Sequence, residues 1–119
     1  MVIKTSWNMK SDEEMARIRQ LAENKFPKFV NSIELEKTSA FFKGLADVTR
    51  LKIISLLWME DMCMCEIVEG LDGASSTINH HLKIMERGGI IVARREGKFT
   101  IYKLNKEKLI PLIPYLRGD

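Results

Sequence analysis

The chain has 119 residues, 45% of them hydrophobic and 29% charged, with a formal net charge of +3. That is an ordinary soluble globular balance, and the length suits one domain with one core. The positive excess is too mild to imply nucleic acid alone, so the placement of the basic residues decides. The N-terminal stretch MVIKTSWNMKSDEEM has no apolar run long enough for a signal peptide or a span, so a cytoplasmic protein without a membrane partner is expected. Cys63 and Cys65 are the only cysteines. Bridging them would be strained, so reduced thiols are expected.

Ser11 with Glu14 is a capping-box pattern, and Met15, Ile18, Ala22 and Phe26 recur at helical spacing. This predicts a helix over 12–26, ended by Pro27. A second is predicted over 33–45, with Leu35, Phe41, Phe42 and Leu45 as its apolar positions. A third covers 47–58, with Asp47 as N-cap and Val48, Leu51, Ile54 and Trp58 along one face. The next begins near Cys63 and runs to about Gly70, and Asp72-Gly73 marks a turn. A further helix covers 75–87, with Ile78, Leu82 and Met85 inward and Gly88-Gly89 at its end. Ile90–Arg94 and Thr100–Leu104 then form a hairpin around the turn Arg95-Glu96-Gly97-Lys98. Residues 105–119 start as a short helix, and Pro111 and Pro114 oppose a long one.

Two short helices joined by a tight turn and followed by a hairpin define a winged helix-turn-helix, mostly α with a small β-hairpin. The second helix of such a pair presents one face to the major groove of double-stranded DNA. With the inward positions removed, Ser75, Ser76, Thr77, Asn79, His80 and Lys83 remain outward. Hydroxyls near the helix start suit phosphate, assisted by the positive end of the helix dipole. Asn79 and His80 both donate and accept, which suits base edges, and Lys83 suits phosphate. Arg94, Arg95 and Lys98 cluster on the hairpin, where a wing meets backbone or minor groove. A merely solvated helix face and charged turn is the plainer alternative; the agreement of helix pattern, turn and basic hairpin argues against it. His80 and His81 point about 100° apart on a helix and chelate poorly together. His81 is expected to be partly buried against the preceding helix.

These residues resemble the ArsR/SmtB family of metal-sensing winged-helix repressors. The matching pieces are Leu45-Ala46-Asp47-Val48-Thr49-Arg50-Leu51, Met62-Cys63-Met64-Cys65-Glu66-Ile67, Ser76-Thr77-Ile78-Asn79-His80-His81-Leu82-Lys83 and the wing from Arg94 to Tyr102. The resemblance spans about residues 40–104. It implies a homodimer that binds an operator palindrome and leaves it when an inducer binds. Members that sense arsenite, antimonite, cadmium or lead often carry a Cys-x-Cys in this helix, here Cys63-Met64-Cys65. The chain departs from the family at Ala74, where a serine is usual, and in having no His over 105–119. The second departure argues against a zinc site on the last helix.

The thiols support the same reading on chemical grounds. Cys63 occupies the slot before Glu66 where a capping box favours Ser or Thr. Thiols at helix N-termini carry more thiolate, the form that binds metal, and soft thiolates select soft ions. Trivalent arsenic or antimony therefore ranks ahead of cadmium, lead or zinc as inducer, with no permanent cofactor. Residues i and i+2 of a regular helix face apart, so a shared ion requires a distorted or frayed first turn. The third ligand is open: Met62, Met64, a small external thiol or the partner protomer. The same cysteines also suit a thiol redox switch, or act as small buried hydrophobes with no metal response.

The expected organisation is a helical dimerisation extension over 1–38, a DNA-binding winged helix over 39–104 and a dimerisation segment over 105–119. An enzyme with a small-molecule substrate is not expected, because no Gly-rich phosphate loop or acid–base set is present. A protein-interaction adaptor using the winged helix without DNA is the remaining alternative.

Overall fold

The computed structural model describes residues 6–73 and 75–118. Ala74, the departure from the family serine, lies outside them. The chain divides into two units that meet in sequence between Leu35 and Glu36.

The first unit holds helix α1, Asp12–Lys25, and a single 3-10 turn, Pro27–Phe29. Ser11 caps α1, its Oγ accepting the Glu14 N–H at 3.1 Å. Acidic Asp12, Glu13 and Glu14 fill the first turn and Lys25 the last, matching the helix dipole. The Phe26 and Phe29 rings stack at 5.5 Å. Helix α2, Ser32–Leu45, starts where Asn31 Oδ1 accepts the N–H groups of Ile33 and Glu34.

The second unit contains the end of α2 and then α3 (Val48–Met59), strand β1 (Met62–Cys63), α4 (Met64–Leu71), α5 (Ser75–Arg87), β2 (Ile91–Glu96), β3 (Phe99–Leu104), α6 (Lys106–Leu109) and α7 (Ile113–Arg117). Asp47 caps α3 as expected, accepting from Thr49 N–H at 2.7 Å and Arg50 N–H at 3.2 Å. The strands form one antiparallel sheet in the order β1-β3-β2. Ile53, Leu57, Ile67, Ile78, Leu82, Met85, Ile90, Ile91 and Leu109 are almost fully buried. Each such side chain contributes about 1.5–3 kcal/mol. The core therefore binds α3, α4, α5, the sheet and α6 together.

Three expectations are corrected. Of the row Val48, Leu51, Ile54 and Trp58 on α3, Val48 and Leu51 are exposed and only Ile54 is buried; the core also takes Arg50, Ile53 and Leu57 from this helix. Leu51, Ile54 and Trp58 also join Ile113 and Leu116 around a cavity of about 320 Å³. The wing turn is also shorter than expected. Arg95 and Glu96 belong to β2, pairing with Thr100 and Phe99, which leaves Gly97 and Lys98 as the turn. Positive φ at Gly97, +59°, is what allows so tight a reversal. Finally, β1 was not expected at all; two residues carry no detectable period.

The tail is broken as the prolines require, into α6, a 3-10 turn at Ile110–Leu112 and α7. Asn105 ties its start to the end of α5. Its N–H donates to Ile90 O at 2.7 Å and its side-chain amide to Gly89 O at 3.3 Å.

Candidate nucleic-acid interface and thiol centre

Helix α5 buries Ile78, Leu82, Ile84 and Met85, one row more than the i, i+4, i+7 set gives. The opposite face stays open. Ser75, Ser76, Thr77, His80 and Lys83 are exposed and Asn79 is half-buried. On the wing, Arg94, Arg95 and Lys98 are exposed. Arg95 is braced along the hairpin, donating to Thr100 Oγ1 at 3.2 Å and Gly97 O at 3.4 Å. Lys98 Nζ lies 5.5 Å from the centre of the Phe99 ring. Arg94 differs from both. Its guanidinium is held by Asp61 Oδ2 at 2.9 Å and Glu96 Oε1 at 3.2 Å. Those carboxylates, Asp61 first, raise the Arg94 pKa above its ordinary value.

His81 turns away from this face. Its ring Nδ1 sits 2.9 Å from Arg50 Nη1 and 3.7 Å from Asp47 Oδ2. A guanidinium only donates, so Nδ1 accepts and the ring proton sits on Nε2. His81 is partly buried as expected, but its polar partners are Arg50 and Asp47 at the start of α3 and not the preceding helix α4. Arg50 is buried and also donates to Lys43 O at 2.9 Å. This chain of contacts links the Asp47 cap of α3 to α5, and sequence reasoning missed it. An Arg in an amphipathic helix reads as surface; only its three-residue spacing from the Asp47 cap hinted otherwise. Burial pushes the Asp47 carboxyl up, but the Arg50 and Thr49 N–H groups, with the charge of Arg50, outweigh it. The carboxyl lies below its ordinary 3.8.

Cys63 is the last residue of β1 and the N-cap of α4, with extended backbone at φ −81°, ψ 166°. Its N–H donates to Glu66 Oε1 at 3.1 Å, and its sulfur takes the place of the hydroxyl in a capping box. Cys63 is buried and Cys65, inside the first turn, is exposed. The limit on i, i+2 pairs applies to two helical residues, and Cys63 is not helical. Among the described residues, no three His, Cys, Asp or Glu side chains converge as a metal cluster. No described helix is long and apolar enough to cross a membrane.

An exposed polar helix face beside a basic hairpin, on this helix order, defines a winged helix-turn-helix protein. Residues 47–92 match the profile described as bacterial regulatory protein, arsR family. The cadmium resistance transcriptional regulatory protein CadC of Listeria innocua is 32% identical over 83 residues, 69% of this chain and 70% of that one. The arsenical resistance operon repressor of Staphylococcus xylosus is 31% identical over 74 residues, 62% of this chain and 71% of that one. Among solved structures, the homodimeric winged helix-turn-helix DNA-binding domain Mb0332 of Mycobacterium bovis aligns at 25% identity with a TM-score of 0.66, covering 74% of this chain and 82% of that one. The chain belongs to the arsR family of bacterial regulatory proteins, which are DNA-binding transcriptional regulators and not enzymes.

Proposed function

We propose that the protein is a cytoplasmic, homodimeric repressor that leaves double-stranded operator DNA when a thiophilic ion binds Cys63 and Cys65. Ser75, Ser76, Thr77 and Lys83 meet phosphate, Asn79 and His80 meet base edges, and Arg95 and Lys98 anchor the wing. A two-fold protein suits a two-fold operator. Residues 1–38 and 105–119 serve dimerisation around the DNA-binding 39–104.

The observation that carries the reading is the position of Cys63, where the sheet hands the chain to α4. An ion drawing the Cys63 and Cys65 sulfurs together pulls on both elements at once. The two thiols fit a soft ion, and the described residues offer no third Cys or His beside them. Met62, Met64, a small thiol or the partner protomer completes the set. Arsenite and antimonite rank first on that chemistry. The relatives named for cadmium and arsenical resistance support an inducer of this class.

Fluorescence anisotropy on the chain's own upstream DNA tests this, with arsenite, antimonite, cadmium and zinc as titrants beside Cys63→Ser and Cys65→Ser. Release by one ion, lost in both variants, is expected. Tight binding that no ion disturbs would remove the sensor; release by oxidant would then reassign the exposed Cys65 to a redox switch. Lys83→Ala and Arg95→Ala should weaken binding to every duplex alike and flatten the salt dependence, whereas Asn79→Ala should change sequence preference.

A further inference from the structure

We infer that Asp61 and Arg94 form a strap that transmits movement of Cys63 to the wing, so that Arg94 is a positioning residue in place of the phosphate contact expected of it. This rests on the proposed sensing role of Cys63.

The sheet register carries the argument. Cys63 pairs with Ile101, and Ile101 pairs with Arg94 on its other side. The sensing thiol and the wing arginine therefore share one row across three strands, with β3 between them. The ion pair spans that same gap. Asp61 stands at the entry to β1, and its Oδ2 meets Arg94 Nη1 at 2.9 Å, while Glu96 holds the Nε side at 3.2 Å. Two carboxylates thus fix both edges of the guanidinium, a geometry that Lys cannot reproduce. Arg94 and Asp61 remain 46% and 37% exposed, so the pair adds little to global stability. Its effect is geometric: it ties the wing to a strand of two residues that ends on Cys63. An ion that moves Cys63 moves Asp61, and the strap carries the shift to β2 and the wing. Arg95 and Lys98, which contact Thr100, Gly97 and the Phe99 ring, are left to meet the backbone of DNA.

The strap and a phosphate contact predict opposite results for the free protein on DNA. With a strap, Asp61→Asn and Arg94→Gln weaken binding by the same factor, up to about fivefold, and the double variant is no weaker than either. Arg94→Lys behaves like Arg94→Gln, and the salt slope stays at the wild-type value. With a phosphate contact, Asp61→Asn tightens binding, Arg94→Lys is near wild type, and Arg94→Gln lowers the slope by about one, which would overturn the inference. Circular dichroism confirms that each variant is folded.

The inducer arm uses cadmium as probe, with sulfur-to-cadmium charge-transfer absorbance reporting ion binding independently of DNA. Wild type is expected to lose at least about tenfold in DNA affinity, and Asp61→Asn less than about threefold at equal ion occupancy. Equal release in both proteins would sink the strap and leave the sensor standing. Absence of the charge-transfer band in wild type would sink the sensing role of Cys63 instead, and with it the transmission assigned to the strap.

Discussion

Asp47 shows how one side chain serves two structures. Its carboxylate caps α3 through Thr49 and Arg50, and it faces His81 on α5 across 3.7 Å. Because its folded pKa lies below the ordinary 3.8, the unfolded chain binds its proton first as pH falls. The stabilisation is complete above about pH 5 and disappears as the pH drops through the lowered folded value. Asp47→Ala should therefore cost about 1 kcal/mol at neutral pH and flatten the loss of stability below pH 4. Urea titrations at pH 7, 4 and 3 check this; a variant with the same acid slope as wild type would remove Asp47 from the account. The cap was legible because Asp before an apolar helix start has a local cause. Arg50 was not, since no local pattern announces that the carbonyl of Lys43 and a ring nitrogen of His81 await its donors.

At the scale of elements, the glycine pair after α5 was read as a helix stop, and the structure divides the work between them. Gly89 adopts φ +70°, the left-handed end of the helix. Gly88 is buried, and a Cβ there would stand 2.5 Å from the carbonyl oxygen of Ala40 on α2. The second contact depends on two elements far apart in sequence, so no local pattern reveals it. Backbone cannot yield as a side-chain tip does. Gly88→Ala should destabilise by about 1–3 kcal/mol, the range for overpacking a filled site. Thermal unfolding measures it, and a change below about 0.5 kcal/mol would mean that α2 and α5 separate freely there. The helices themselves were legible from periodicity, caps and turns. The sheet was legible only as a hairpin, because β1 is defined by its partner β3 and not by its own two residues.

At the scale of the molecule, the described residues of the first unit leave apolar surface exposed. Neither α1 nor the turn after it contains a buried residue, and Leu21, Phe29 and Val30 are each more than half exposed. A helix of 14 residues is marginal in water without a packed face. A second copy of the chain is the covering surface that the proposed repressor needs. The melting temperature should then rise with protein concentration, since association adds about 1.4 kcal/mol for each tenfold increase in protomer. Leu21→Asp places a charge on the apolar stripe of α1. It should halve the mass seen by sedimentation, remove the concentration dependence, and reduce helical circular dichroism as α1 melts. The winged helix keeps its own core of α3, α4, α5 and the sheet, so the variant should still unfold cooperatively. It should bind a single operator half-site with the salt dependence of wild type and a palindrome far more weakly. A wild-type chain that sediments as a monomer at all concentrations would break the link between the exposed stripe and the dimer, and α1 would then have to be stabilised by a different macromolecule.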